Sequence, residues 1–275
     1  MESSKIGADP EFSLWDSQSK VFVKANKFFP GGIEGSIGND GNPETGELRP
    51  APGTPSQVAA RLGILIRHVI RLTERSKIQL VAGPWGGNPL GGHLHFNTLD
   101  APPAYPVMHL IKCLDFYAAL PFALLENPVH AKARLKAGYG AIGAFRSQPW
   151  GIEYRTLSSW LDSRVLTNAI LRLAFNIVFT KLELQPKRFS WKAFNERDRV
   201  KLLSYMPAVL KGWARLSLVD SKLRPLLAWW KHCIQQGYVM QEMDFGKRWL
   251  HKQDHCFSGG ENVSDSGNSE SERAA

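Results

Sequence analysis

The chain has 275 residues, enough for one large domain or two modest ones around a sizeable core. A hydrophobic fraction of 43% with 14 Phe and 9 Trp excludes general disorder, and every apolar stretch is broken by Arg, Lys or Asp well before the ~20 residues a membrane-spanning helix needs. The formal charge is +9, but it is local: residues 1–155 hold 16 basic and 13 acidic side chains, residues 156–255 hold 17 and 8, and the last twenty hold 1 and 4.

In chain order, the N-terminus MESSKIGADPEF carries no apolar signal core, which leads us to expect a cytoplasmic protein, in the host cytoplasm if phage-encoded. Up to about residue 155 the chain is rich in Gly and Pro, with short extended runs such as Val21-Phe22-Val23 and Ile78-Gln79-Leu80-Val81. Two helical patterns interrupt it. In the first, Thr54 caps, Pro55 takes the first helical position and Gln57 closes a capping box, before Val58, Leu62, Leu65, Ile66, Val69 and Ile70 recur at helical spacing. The second runs from about Pro106 to Leu125 through Met108, Ile111, Leu114, Tyr117, Ala118 and Phe122. GPWGGNPLGG reads as a flexible loop, because its glycines do not have a phosphate-cradling spacing. From Leu157 onward the texture turns helical: Ser158-Ser159 precede a run through Leu161, Val165, Leu166, Ile170, Leu173, Ile177 and Val178. Segments around 197–216, 220–236 and 240–252 follow, read as amphipathic helices with solvated basic faces. After Phe257 the composition predicts a disordered tail. Cys113, Cys233 and Cys256 stand far apart in no CxxC or Cys/His spacing, which argues against a metal–thiolate site.

Four short segments each present two polar, ligand-capable residues two positions apart: Asp9 and Glu11, Glu47 and Arg49, His93 and His95, Glu153 and Arg155. On a strand, residues i and i+2 share a face, while the neighbours Leu48, Leu94, Ile152 and Tyr154 point into a core behind it. Any one pair is explained as well by the wet face of a half-buried strand. Together, Asp9, Glu11, Glu47 and Glu153 on one face would repel unless a hard cation such as Mg²⁺ or Mn²⁺ joined them. Arg49, Arg146 and Arg155 on the same face suit an anion, arginine's fork matching phosphate. That combination reads as metal-assisted phosphoryl chemistry. No Walker loop, GxGxxG, GxSxG or HExxH is present.

The segments IGADPEF, DGNPETGELRPAPG, GGHLHFN and YGAIGAFRSQPWGIEYRTLSSW, in this order over roughly residues 5–165, resemble the glutamine synthetase-like carboxylate–amine ligases, specifically the phage-type COOH·NH2 ligase (amidoligase) group. The resemblance implies an α+β fold in which an antiparallel sheet forms the active site and packs with helices. Residues 1–165 would be the catalytic core, 166–256 a helical region completing the domain, and 257–275 the tail. It implies a ligase that uses ATP and Mg²⁺ (or Mn²⁺) to make an acyl phosphate, which an amine converts to an amide. By motif, Glu11, Glu47, His93 and Glu153 would bind metal with Asp9 beside them, and His95, Asn97 and Arg49 would serve the nucleotide. Arg155 and Arg146 would steady the transferring phosphoryl group. The first motif reads DPE where glutamine synthetases pair glutamates, and Asn97 replaces a serine. A carboxylate on the GIEGSIGNDG loop, Asp40 or Glu34, is the candidate base for the incoming ammonium.

Two other readings stay open on the residues: a metal-dependent hydrolase built on His-x-His and scattered acids, and a nucleic-acid-binding or virion-associated protein using the basic helices of residues 156–255. The expected partners are small-molecule or protein carboxylates and amines, without nucleic acid or membrane; a homo-oligomer remains open.

Overall fold

Strand β1 (Ile6–Asp16) is the axis of the fold. Its sequence alternates, so Ile6, Ala8, Phe12 and Leu14 are buried in the core while Asp9, Glu11 and Ser13 share the opposite face. In this computed structural model, which describes residues 4–29, 34–39, 41–103 and 105–251, β1 has four antiparallel partners. They are β2 (Val21–Val23), β4 (Gly46–Leu48), β5 (Ile78–Val81) and β6 (Gly92–Phe96). With β3 (Ile37–Asn39), β7 (Phe145–Gln148) and β8 (Gly151–Tyr154) they form one sheet in the order β3-β4-β1-β6-β8-β7, with β2 and β5 on the second half of β1. The fold is therefore α+β on an antiparallel sheet, as the sequence implied.

The helices are α1 (Pro55–Thr73), α2 (Val107–Leu114), α3 (Leu120–Ala123), α4 (Pro128–Lys136), α5 (Arg164–Phe179), α6 (Trp191–Glu196), α7 (Arg199–Leu203), α8 (Met206–Val219), α9 (Leu223–Gln235) and α10 (Phe245–His251). Helix α1 begins as its signals require: Thr54 and Gln57 form the capping box and Pro55 is the first helical residue. It buries Val58, Leu62, Ile66 and Val69 and packs against α5 and α10, while α5 lies on β6 and against α8 and α9.

The structure corrects the boundaries of two expected helices. The stretch from Pro106 to Leu125 is divided by a π-helical turn, Asp115–Ala119. Asp115 in that turn faces β8, its carboxylate accepting from Tyr154 Oη at 2.7 Å and Thr156 Oγ1 at 3.3 Å. Met108, expected on the apolar face, is 55% exposed. Ser158 and Ser159 do not open a helix; they extend the sheet, bridging Gly91 and Gly83, because those loop residues need backbone partners there. Buried Trp160 pins the segment by donating to the Gly92 carbonyl at 2.9 Å, and α5 starts only after Ser163, whose Oγ accepts from Leu166 N.

The basic surplus of the later helices also divides. Lys211, Lys222 and Lys231 are exposed as expected. Arg197 and Arg248 are instead buried, paired with Glu126 at 2.6 Å and Asp162 at 3.0 Å. Among the described residues no helix is long and apolar enough to cross a membrane.

Candidate active site

Register brings the four polar pairs together. Residues directly opposite in an antiparallel ladder point to the same face. Glu11 lies opposite Glu47, Asp9 opposite His93, and Gly7 opposite His95. His95 in turn lies opposite Glu153, and Glu153 opposite Arg146. The polar face thus runs across β4, β1, β6, β8 and β7, with Leu48, Leu94, Ile152 and Tyr154 buried behind it.

Asp9 stands between the two imidazoles, its Oδ1 3.3 Å from His93 Nδ1 and its Oδ2 3.1 Å from His95 Nε2. Burial alone would raise the Asp9 carboxyl, but His93 and His95 outweigh it and hold the group well below the usual carboxylate range. The same contact raises His93 against the opposing effect of its own burial. Glu153 is almost fully buried and crowded by donors: Arg146 Nε at 2.9 Å, Arg146 Nη2 at 3.0 Å and Gln148 Nε2 at 2.7 Å. Arg155 Nε lies 3.5 Å from it and His93 Nδ1 3.7 Å. Glu11 accepts from the Gly91 N–H at 2.7 Å, and Glu47 pairs with Arg49.

Asp9, His95 and Glu153 each offer a ligand atom, and these atoms lie within 4.8 Å of one another. Asp9 Oδ1 and His95 Nε2 are buried and make no aligned hydrogen bond, although both lie within ion-pair distance of a neighbour. Buried polar atoms left in this state call for a further partner. Carboxylate oxygens with imidazole nitrogen are a donor set that suits Mg²⁺ or Mn²⁺.

A cavity of about 480 Å³ adjoins these residues, lined by Lys5, Gly7, Pro52, His95, Asn97 and Trp150. Gly7 makes room for it: a Cβ there would stand 3.2 Å from His95 Cβ. Trp150, in the turn between β7 and β8, sets its ring 5.1 Å from the His95 ring at 36°.

The sequence-derived residues fall into three groups. Asp9, His93, His95, Glu153, Arg146 and Arg155 form one cluster, with Glu11 and Glu47 next to it on β1 and β4. Arg49 donates to the carbonyls of Gly35 (3.0 Å) and Asn39 (2.7 Å), so it ties down the 35–39 segment, while Asn97 bonds Asp100 at the cavity wall. Glu34 is exposed, and Asp40 lies outside the described residues. Sequence reasoning missed Trp150 and Arg134. Trp150 sits inside the quoted SQPWGIE segment and was legible as an aromatic beside a ligand strand. Arg134 carries no local signal: it is fully buried in α4 and donates to the Thr156 and Leu157 carbonyls, each at 3.0 Å, just past Arg155.

Residues 6–250 match a family model described as phage phiEco32-like COOH·NH2 ligase-type 2. No curated protein matches the chain.

Proposed function

The chain belongs to the phage phiEco32-like COOH·NH2 ligase type 2 family, a carboxylate–amine ligase family, and from that premise we propose that it forms an amide or peptide-like bond in an ATP- and Mg²⁺-dependent reaction through an acyl phosphate. The observation that carries the reading is the Asp9–His95–Glu153 cluster, whose buried Asp9 Oδ1 and His95 Nε2 make no aligned hydrogen bond, set between two arginines and the Trp150 cavity.

Asp9, His95 and Glu153 would hold Mg²⁺ or Mn²⁺, with His93 and Glu11 beside them; the ion supplies charge neutralisation between these carboxylates and the nucleotide phosphates. Trp150 offers the nucleobase a stacking face, and Lys5 and Asn97 offer polar edges around it. Arg146 is more than half exposed at its side chain, so it could turn from Glu153 toward a phosphoryl group once a bound cation takes over the Glu153 charge. Arg155, held near Glu153 and continuous with β8, is the more fixed of the two cations. Both would donate to the oxygens on which charge develops during transfer. The carboxylate oxygen takes the γ-phosphoryl group; the amine then attacks the acyl carbon, the C–N bond forms and phosphate leaves. The substrates of this proposal are small-molecule or protein carboxylates and amines met in the cytoplasm.

The test is Mg²⁺-dependent release of ADP and phosphate with a pool of amino acids, polyamines and carrier proteins. Glu153→Ala and Arg155→Ala should each abolish turnover in a protein that still folds. Unchanged turnover in either, or metal-dependent cleavage of amides with no nucleotide requirement, would reject the ligase reading, the second result favouring a hydrolase.

A further inference from the structure

Ligation needs a neutral amine, yet at neutral pH an alkylamine arrives as an ammonium ion and must first lose a proton. Glu34, one of the two acids that sequence suggested for this task, stands exposed on a turn. A better-built acceptor is reached from the polar face through the loops that flank it. Gly91, whose N–H donates to Glu11, bridges Ser158, and the next residue, Ser159, bridges Gly83. Ser158 Oγ donates to Glu126 Oε1 at 2.6 Å. Gly83 adopts a left-handed backbone (φ +91°) and faces Glu242: a Cβ there would meet Glu242 Cγ at 2.7 Å and stand 3.2 Å from Oε1.

Two buried polar atoms on either side of Gly83, Glu242 Oε1 and Ser159 Oγ, have no hydrogen-bond partner. The Glu242 side chain is only 8% exposed, so its lone oxygen is not served by bulk water. Its other oxygen, Oε2, pairs with Nδ1 of His130, whose side chain is 38% exposed and opens to solvent. A run of direct contacts, from Glu11 to Gly91, from Gly91 to Ser158, and from the adjoining Ser159 to Gly83 and Glu242, connects this carboxylate to the candidate active site. A buried carboxylate oxygen and a serine hydroxyl lacking donors define a place for a guest that brings N–H groups and positive charge.

We propose that Glu242, Ser159 and His130 form the subsite for the amine co-substrate, with Glu242 Oε1 accepting from the ammonium and His130 connecting the carboxylate to solvent. The proposal rests on the ligase reading above. The ammonium N–H proton passes to Glu242, leaving R–NH2 with its lone pair free; Glu242 passes the proton to His130 and His130 to water. The amine nitrogen then bonds the acyl carbon as the C–O bond to phosphate breaks, and the second N–H proton leaves with the departing phosphate. Burial pushes the Glu242 carboxyl up to about 7; the hydrogen bond and charge of His130 draw it down, while Glu126 and Asp162 push it up. Glu126 is itself paired with Arg197, and Asp162 with Arg248. A carboxyl in that range is matched to taking and releasing a proton at neutral pH.

The experiment follows the His130 ring signal of the full-length protein by NMR during titration with methylammonium chloride, and with tetramethylammonium chloride, which has no N–H to donate. Mg·ATP binding is measured in parallel by calorimetry. The proposal expects saturable binding of methylammonium, no comparable binding of tetramethylammonium, and weakening of roughly tenfold or more in Glu242→Gln. Ser159→Ala should weaken binding to a lesser extent, and Mg·ATP affinity should be unchanged in both variants. Equal methylammonium affinity in wild type and a folded Glu242→Gln, or equal binding of the two cations, overturns the proposal. If Glu242→Gln does not fold, an unchanged affinity in Ser159→Ala overturns it instead. Failure of Mg·ATP to bind wild type would strike the ligase reading alone, because the amine titration contains no nucleotide.

Discussion

Asp115 offers a quantitative test of how β8, the strand bearing Glu153, is held. It is 3% exposed, and burial pushes its carboxyl up to about 6 from 3.8, although Tyr154, the Gly143 N–H and Thr156 all donate to it and pull the other way. A rise of about 2 units, at ~1.4 kcal/mol per unit, makes the ionised form cost the fold about 3 kcal/mol. The folded carboxyl holds its proton more tightly than the unfolded one. Unfolding therefore releases a proton between pH ~4 and ~6, and stability falls as pH rises through that window. Asp115→Asn has no such proton, keeps an acceptor for Tyr154, and removes this pH dependence. Urea unfolding of both proteins from pH 4 to pH 7.5 measures it. The difference profile, variant minus wild type, should climb by about 3 kcal/mol across the window and be flat above it. Other titrating groups, Glu242 among them, are common to both proteins and cancel. Profiles parallel to within about 0.5 kcal/mol would refute the claim that Asp115 ionises against its burial.

Three further outcomes follow from the site. Glu153→Gln keeps the shape but removes the charge facing Arg146, Arg155 and His93; turnover should fall about 10²–10³-fold in a variant that is less stable but still folded, measured by ADP release and calorimetry. Trp150→Ala removes the cavity's aromatic wall and should weaken Mg·ATP binding by about 1–3 kcal/mol in calorimetric titration, without altering methylammonium binding. Arg134→Met strips donors from the buried Thr156 and Leu157 carbonyls and leaves Glu126 with less positive charge nearby; denaturant unfolding should show a loss of about 2–5 kcal/mol, and a loss under 1 kcal/mol would show that this arginine does not anchor the end of β8.

Much of the chemistry was local and so readable along the chain. Alternation in IGADPEF put Asp9 and Glu11 on one face because a strand has a period of two, and the same rule worked for His93 and His95 and for Glu153. The start of α1 was equally legible, since Thr54, Pro55 and Gln57 act within one turn. Helix limits farther on were not: Ser158 and Ser159 look like caps but are claimed by Gly91 and Gly83, residues distant in sequence. The candidate metal cluster shows the same division. Sequence named every member, yet only the register Gly7–His95–Glu153 brings His95 beside Asp9 and Glu153. His130 and Glu242, 112 residues apart, share no local pattern at all. Sequence by itself therefore determined which face of each strand is polar, because side-chain alternation is a property of the strand alone. Tertiary structure decided which polar groups meet and which carboxylates are pushed up, because cross-strand register, burial and the removal of water exist only once distant segments pack together.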